Sequence, residues 1–357
     1  MKRILLLAAM LISICTAYAQ DAYNPPVNGE NFFELSSARL MTNAASSTGG
    51  GIFYANPSSL SVNPALTANE QRIAFNAGFT GLFSANPSDS PKIGAAFQLG
   101  SVVPFKWAVF TALINGTMCS FEDMNINDSM NLKLGLSKSI TDNLYVGLGL
   151  DSGFFWGAGT DWSLYGNLGF LYKYGKLGFM DDFRIGGSIM NLGKTYTQTS
   201  SKPMISGFDV SPYPSLLMIK AGVSGLLLNK DSVKIGFSAD VSTPMFHTVI
   251  FDAGLQCSIK NMVYISVAEK FNLEEFAQGH DSFIPAIGIG LKFRFGFENN
   301  EYMESKGWAE SEMSTVVAYK ELYNSVHAIS TEVDLNLGTK DETPPVITLW
   351  FGDEGDD

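Results

Sequence analysis

The sequence predicts an all-β protein, a transmembrane antiparallel β-barrel of 12–14 strands around an N-terminal plug. Apolar and polar residues alternate with a period of two from about residue 73 to residue 297. The alternating segments are close to or longer than the ~9–11 residues that a tilted strand needs to cross a bilayer. Hydrophobic residues make up 46% of the chain and charged residues 16%. This balance suits a barrel in which alternate side chains face lipid.

The alternation is clearest near residue 235. Val233, Ile235 and Phe237 lie on one face of a predicted strand, and Lys234 and Asp240 lie on the other. One face is therefore apolar and the other polar. The same pattern predicts twelve strands, at residues 73–83, 92–101, 105–118, 130–139, 144–156, 162–174, 182–192, 214–228, 232–242, 248–259, 262–272 and 283–297.

Connection lengths support the membrane orientation of this barrel. Connections after even-numbered strands are short, as at 141–143, 229–232 and 260–261, whereas those after odd-numbered strands include 120–129, 193–214 and 272–282. Bacterial outer-membrane barrels have short periplasmic turns and longer outer loops. The pattern predicts an outer-membrane barrel of a diderm bacterium rather than a soluble all-β protein.

Both ends of the chain differ from the barrel. Residues 1–19 have the basic start, the apolar run and the Ala17-Tyr18-Ala19 site of a signal peptide. Residues 20–72 then form the plug, and residues 298–357 form a periplasmic extension with an acidic tail. Apolar residues spaced three and four apart predict a helix at about 309–330 within this extension. They are Val316, Tyr319, Leu322, Tyr323, Val326 and Ile329.

Motifs for catalysis, metals and nucleic acid are missing from the sequence. The three histidines, His247, His280 and His327, lack metal-ligand spacing, and no G-x-S-x-G hydrolase motif occurs. A net charge of −12 argues against nucleic acid as a partner. We therefore expect a protein that is not an enzyme and that uses no metal or other cofactor.

Charged residues on the polar strand faces are predicted to point into the barrel lumen. Facing lipid at mid-membrane, a Lys or Arg would cost about 2–4 kcal/mol. These charges either form ion pairs that fill and stiffen the barrel, or line a path for an anionic head group. They are Lys133, Asp151, Arg184, Lys220, Lys234, Asp240, Asp252, Lys292 and Arg294.

Aromatic residues cluster near the predicted outer rim. They suit either the aromatic belt at the membrane interface or a capture site for a hydrophobic ligand. The residues concerned are Phe154, Phe155, Trp156, Trp162, Phe208 and Phe246.

The plug is predicted from the fifty or so residues before the first strand. This segment carries many apolar residues, which would not stay exposed to water, so the lumen is the simplest place to bury them. Its last part, residues 49–68, contains two Asn-Pro dipeptides after a glycine triplet. The hatch motif is defined by Asn56, Pro57, Asn63, Pro64, Ala65 and Leu66.

This N-terminal segment resembles that of the FadL-like outer-membrane transporters, whose N-terminal pattern has the form "aRa…f.NPAgLa". Ser37-Ala38-Arg39 matches its start, and residues 56–60 or 63–66 match the NPA element. Among that family, the chain looks most like the uncharacterised spirochaetal members. It departs from the family in having Ser after the first Asn-Pro and twelve predicted strands instead of about fourteen.

The resemblance implies passive uptake of hydrophobic compounds such as long-chain fatty acids, with the plug acting as a hatch. Membrane lipid and a fatty-acid-like ligand are the expected partners. The alternative is a structural or interaction barrel, such as a secretion-machine subunit or surface antigen. It would bind a periplasmic partner through residues 298–357 or another component through the loop at 193–214.

Overall fold

The computed structural model is a closed barrel of fourteen antiparallel strands. It describes residues 32–43, 45–84, 92–119, 128–156, 160–194, 217–244, 246, 248–278, 285–295, 310–322 and 326–338. The predicted signal peptide, the acidic tail and Phe208 lie outside these residues. The strands are β1 Ala74–Ser84, β2 Lys92–Pro104, β3 Val109–Cys119, β4 Asp128–Ser139, β5 Leu144–Trp156, β6 Thr160–Leu177, β7 Met180–Lys194, β8 Met218–Lys230, β9 Val233–Pro244, β10 Ile250–Ile259, β11 Val263–Asn272, β12 Ala286–Phe295, β13 Ser311–Leu322 and β14 Val326–Asn336.

Each strand pairs with its sequence neighbours, and β1 pairs with β14 to close the barrel. This closing pair runs without interruption from Ala74 opposite Asn336 to Ser84 opposite Val326. Register shifts occur in three neighbouring pairs, β6 with β7, β7 with β8 and β8 with β9. Closure satisfies the backbone groups that an open sheet edge would expose to lipid.

The predicted helix at 309–330 is wrong, because this segment forms β13 and the first five residues of β14. The barrel therefore extends beyond the predicted end at residue 297, to Asn336, and the strand count is at the upper end of the predicted range. Apolar residues such as Val316, Ala318 and Leu322 face the lumen on β13, so the two faces of this strand differ little in hydrophobicity. The alternation of polar and apolar residues is therefore weak in this segment, and the helical spacing of three and four residues fits its apolar residues as well.

The outer surface of the barrel is apolar. Large hydrophobic side chains project outward along the strands, and Phe79, Leu99, Leu148, Leu255 and Ile289 are among those exposed. The residues between them face inward and are mostly polar or small, as a membrane barrel requires. Across the described ranges, no helix is long and apolar enough to cross a membrane.

Short connections lie at one end of the barrel, called here the turn end, where β1 begins. They comprise residues 105–108, 140–143, 178–179, 231–232 and 260–262. The opposite end, called the loop end, includes the longer connections at 120–127, 195–217 and 273–285, of which Leu273–Gln278 forms helix α2. The predicted sorting of connections is observed for most of β1 to β12, although the loop-end connection at 157–159 is also short. The connection from β12 to β13 is a longer one at the turn end.

The N-terminal segment occupies the lumen as predicted. It comprises the 3₁₀ helix η1 (Phe32–Ser36), the short helix α1 (Ala38–Thr42) and the 3₁₀ helices η2 (Pro57–Ser61) and η3 (Pro64–Asn69). Almost every described residue from 33 to 68 is buried. Its apolar side chains pack on lumenal ones, as where Leu35 and Met41 join Leu82 and Val326 in one cluster. We call residues 32–69 the plug.

Candidate functional site

The candidate site is the junction between the plug and the inner wall of the barrel. The two Asn-Pro dipeptides build the local structure of the plug there. Asn56 and Asn63 lie immediately before η2 and η3, and each is followed by a proline at the first helical position. The Asn63 side chain accepts from the Ala65 N–H at 2.9 Å, which caps η3. Proline suits this position because its missing N–H would have no helical partner there.

The two asparagines of the hatch motif also attach the plug to the wall. Asn63 Nδ2 donates to the Phe170 carbonyl on β6 at 2.9 Å and to the Ser47 carbonyl at 2.6 Å. Asn56 Nδ2 donates to Glu332 Oε1 at 2.7 Å and to Asp334 Oδ1 at 3.0 Å, both on β14. The hatch motif therefore fastens the plug at opposite sides of the lumen.

Glu332 and Asp334, called here the acid pair, are buried in the lumen with relative exposures of 0% and 2%. Asn76 on β1 donates to the same two oxygens as Asn56, at 2.7 Å each. Glu332 Oε2 accepts from Ser37 Oγ at 2.6 Å and from the Arg39 N–H at 3.0 Å. Both carboxylates are thus held by donors from the plug and from β1, the strand that pairs with β14.

Arg39 is the cation that faces the acid pair. Its Nε lies 2.9 Å from Asp334 Oδ2, and its Nη2 donates to Ser314 Oγ at 2.6 Å. The guanidinium also lies over the Tyr54 ring, 3.8 Å from its centroid. Burial by itself lowers the pKa of Arg39, but Tyr54 and the acid pair raise it above its ordinary value. Arg39 therefore remains charged and compensates part of the buried negative charge.

Several predicted lumenal charges contact the plug on the other side of the barrel. Arg184 Nη2 donates to the carbonyls of Gly50 and Gly51 at 2.8 and 2.9 Å. Lys220 Nζ donates to the Ala45 carbonyl at 2.9 Å and pairs with Asp252 at 2.9 Å. These lysine and arginine side chains satisfy plug carbonyls that have no helical partner.

The remaining predicted charges also face inward. Asp240 accepts from the Ser47 N–H at 2.7 Å and from its hydroxyl at 2.6 Å. The buried pair of Lys133 and Asp151 joins β4 to β5 at 3.2 Å. Lys292 and Arg294 lie near the turn end, where both pair with Glu312 at 2.8 and 3.2 Å. Lys234 is half-buried on the same face of β9 as Asp240.

Glycines in the wall allow the plug to lie directly against the strands. A Cβ atom added at these positions would fall 2.0–2.8 Å from a plug atom, closer than any real Cβ contact. Some of these approaches are to the plug main chain: an added Cβ would lie 2.3 Å from the Pro64 carbonyl carbon at Gly147 and 2.4 Å from that of Gly51 at Gly236. These wall positions are Gly78, Gly100, Gly135, Gly147, Gly169, Gly186, Gly236 and Gly288.

We expect Gly147→Ala to destabilise the barrel by about 1–3 kcal/mol, because the added methyl group overpacks the contact with η3. Gly166→Ala on the adjacent strand is the matched control, because the nearest atoms to its added Cβ lie 3.9 Å away. Urea unfolding in detergent measures both variants. Equal midpoints for the two would show that the plug does not press on this wall.

The predicted capture residues divide between the two faces of the barrel. Phe154, Trp156 and Trp162 point outward at the loop end, and Phe154 is 60% exposed. Phe155 points into the lumen and is 2% exposed. Phe246 is exposed just after β9. The three outward side chains lie where an aromatic belt would lie. Among the predicted capture residues on β5 and β6, Phe155 is the one that faces the lumen.

The lumenal mouth at the loop end is largely apolar. Most buried charged and amide side chains lie deeper in the lumen, although Asn272 and the pair of Lys270 with Glu34 lie near the loop end of β11. Buried apolar side chains face inward near the loop end of eight strands. They are Leu82, Phe155, Met190, Met218, Ile250, Ala286, Leu322 and Val326. Of this set, only Phe155 is predicted from the sequence, since a single apolar residue at a strand end carries no distinctive pattern.

The acid pair was also missed from the sequence. Glu332 and Asp334 alternate with Val333 and Leu335, which face outward. Two acids at alternate positions of a strand indicate inward-facing charge. This signal was missed because residues 298–357 were predicted to be a periplasmic extension and not part of the barrel. His327, predicted in the extension helix, lies instead on β14, where its Nδ1 is 2.9 Å from the Tyr319 hydroxyl.

The fold has counterparts among solved structures. The Ralstonia pickettii toluene transporter TbuX matches 86% of this chain and 99% of its own, with a TM-score of 0.51 and 12% identity. The CymD monoaromatic hydrocarbon channel matches 86% and 100%, with a TM-score of 0.52 and 11% identity. The Pseudomonas putida toluene transporter TodX matches 85% and 100%, at 0.50 and 11%.

The chain has a FadL-like barrel fold. The likeness extends over nearly the full length of these proteins, and the lumenal plug with its Asn-Pro elements agrees with the resemblance seen in the sequence. At such low identity the comparison establishes the fold. No protein-family model and no curated protein matches the chain.

Proposed function

We propose that this FadL-like barrel resides in the outer membrane and admits hydrophobic or amphipathic compounds by passive diffusion. The observation that carries the proposal is an apolar lumenal mouth above a plug that fills the barrel. An apolar mouth favours the entry of hydrophobic molecules over ions and sugars, because it offers them no polar partners. Solved relatives of the same fold are named as hydrocarbon channels or toluene transporters.

A fatty-acid-like ligand fits this arrangement. Its chain would contact the apolar mouth, and its head group would meet the charged and amide side chains deeper in the lumen. The plug lies across the route and must shift for a ligand to pass. The transport step uses the chain's own residues, membrane lipid as the surrounding medium and no cofactor.

The interaction-protein alternative depended on the predicted periplasmic helix and on the loop at 193–214. The helix is replaced by β13 and the first part of β14, which removes one of these two supports. Residues 195–216 of the loop lie outside the described residues. Transport is therefore the better supported function.

We expect Phe155→Asn to lower uptake of a fluorescent long-chain fatty acid by intact cells at least about threefold, because it places an amide in the apolar mouth. Phe154→Asn is the matched control, as this neighbouring side chain points out of the barrel. Both variants must show the same heat-modifiable migration as the parent on gels, which reports a folded barrel. Equal uptake by the two folded variants would contradict a lumenal route past Phe155.

A further inference from the structure

The plug is attached differently at its two sides. On the side of β4 to β9, the main chain of the plug lies directly against wall glycines, as at Gly147 with Pro64 and at Gly236 with Gly51. The side chains of Arg184, Lys220 and Asp240 also bind the plug backbone there. The Asn63 side chain adds a hydrogen bond to the Phe170 carbonyl of β6, and a second one to the Ser47 carbonyl within the plug. The main-chain contacts at the glycines contain no side chain whose rotation would release the plug from this wall.

On the side of β11 to β14, the plug is held mainly through side chains. Thr42 Oγ1 meets Ser266 Oγ at 3.3 Å, and the side chains of Ser37, Arg39 and Asn56 bind the acid pair. Water can replace such hydrogen bonds one at a time. Arg39 is 14% exposed, so solvent already reaches the edge of this network.

A cavity adjoins this network. It lies between the plug residues Arg39, Asn43 and Tyr54 and the wall residues Gln256, Ser266 and Gly290. The volume of the cavity that is open to the centre of a water molecule is about 20 Å³, which is enough for one or two waters. The buried Asn43 Oδ1 lines it without a protein partner. The plug thus has polar, hydratable space beside α1.

We propose that Glu332 and Asp334 are positioning residues, the wall half of a latch that holds α1 closed. The plug half consists of Ser37, Arg39 and Asn56. Opening breaks the side-chain bonds to the acid pair and lets water from the adjacent space enter beside α1, while η3 stays seated on its glycines. This inference rests on the proposed function for its link to transport, but the latch itself can be tested without transport.

The first test measures the accessibility of α1 and η3 separately. Ala38 and Ala65 are both fully buried alanines, one in α1 and one in η3. Single cysteines at these positions, in a Cys119→Ser/Cys257→Ser background, are treated with a membrane-impermeant maleimide on intact cells. With Glu332→Gln and Asp334→Asn added, labelling of Ala38→Cys should accelerate about tenfold or more, as expected when charged hydrogen bonds are lost. Labelling of Ala65→Cys should not change.

An equal acceleration at both cysteines would mean that the whole plug loosens, and no acceleration at Ala38→Cys would mean that the acid pair is not a latch. Either result overturns the proposal. Asp151→Asn serves as the control for loss of a buried lumenal carboxylate, because Asp151 pairs with Lys133 within the wall. It should leave labelling at both positions unchanged.

The second test leaves the acid pair intact and uses reversible cross-links. Thr42→Cys with Ser266→Cys joins α1 to β11, and Thr67→Cys with Ser137→Cys joins η3 to β4, where the hydroxyls are 3.0 Å apart. The first disulfide should block fatty-acid uptake until reductant is added, and the second should not. Block by both, or by neither, contradicts the latch. If the reduced parent shows no uptake, the proposed function fails, and the labelling test still decides the latch.

Discussion

Arg39→Ala is expected to destabilise the protein by about 3–5 kcal/mol and to make the barrel leak ions. The substitution removes the cation that faces Glu332 and Asp334, and a buried charge that loses its partner is costly. The bonds from Asn56 and Ser37 cannot supply the missing positive charge. Urea unfolding in detergent measures the stability, and conductance in planar bilayers measures the leak.

Two comparisons make this result specific. Arg72→Ala should cost about 1 kcal/mol or less, because Arg72 is partly exposed and its partner Glu312 keeps Lys292 and Arg294. Adding Asp334→Asn to Arg39→Ala should recover part of the lost stability by removing one unpaired charge. If Arg39→Ala is as stable and as tightly closed as the parent, the acid pair does not depend on Arg39.

Lys220→Met is expected to have a loss of similar size, about 3–5 kcal/mol. Asp240 and Asp252 lie directly opposite each other on β9 and β10, and both are buried. Lys220 pairs with Asp252 and also holds the Ala45 carbonyl of the plug. Its loss would therefore leave two facing carboxylates in the lumen and free one attachment of the plug.

Lys234→Met is the control for Lys220→Met. Lys234 lies on β9 but is only half-buried near the turn end, so its replacement should change the unfolding midpoint little. A further variant, Lys220→Met with Asp252→Asn, should regain part of the stability. Equal midpoints for Lys220→Met and Lys234→Met would contradict the role assigned to Lys220.

The sequence was sufficient to predict β1 to β12, because their lumenal and lipid-facing residues differ clearly in polarity. It was insufficient for β13 and β14, because apolar residues such as Val316 and Leu322 also face the lumen on β13 and a helical spacing fits the segment as well. Pairing of β1 with β14 joins residues more than 240 positions apart, such as Ser84 and Val326. A local pattern contains no signal for a contact of this kind.

The functional junction was predicted only in part for the same reason. Burial of the plug followed from its apolar content, and the inward direction of Arg184 and Lys220 followed from the cost of charge in lipid. The sequence did not reveal which residue each lumenal side chain would contact. Arg39 and Asp334 meet across 295 residues, and the glycine positions that accept the plug are visible only once the plug is in place.

Uptake by intact cells tests the central claim most directly. The chain is produced in a diderm host that lacks its own outer-membrane transporters for hydrophobic compounds, and entry of a radiolabelled long-chain fatty acid and of toluene is compared with entry of a small sugar. We expect the protein to accelerate entry of at least one hydrophobic compound and to leave entry of the sugar unchanged. A folded barrel that accelerates neither hydrophobic compound, or that admits the sugar as readily, would contradict the proposed function.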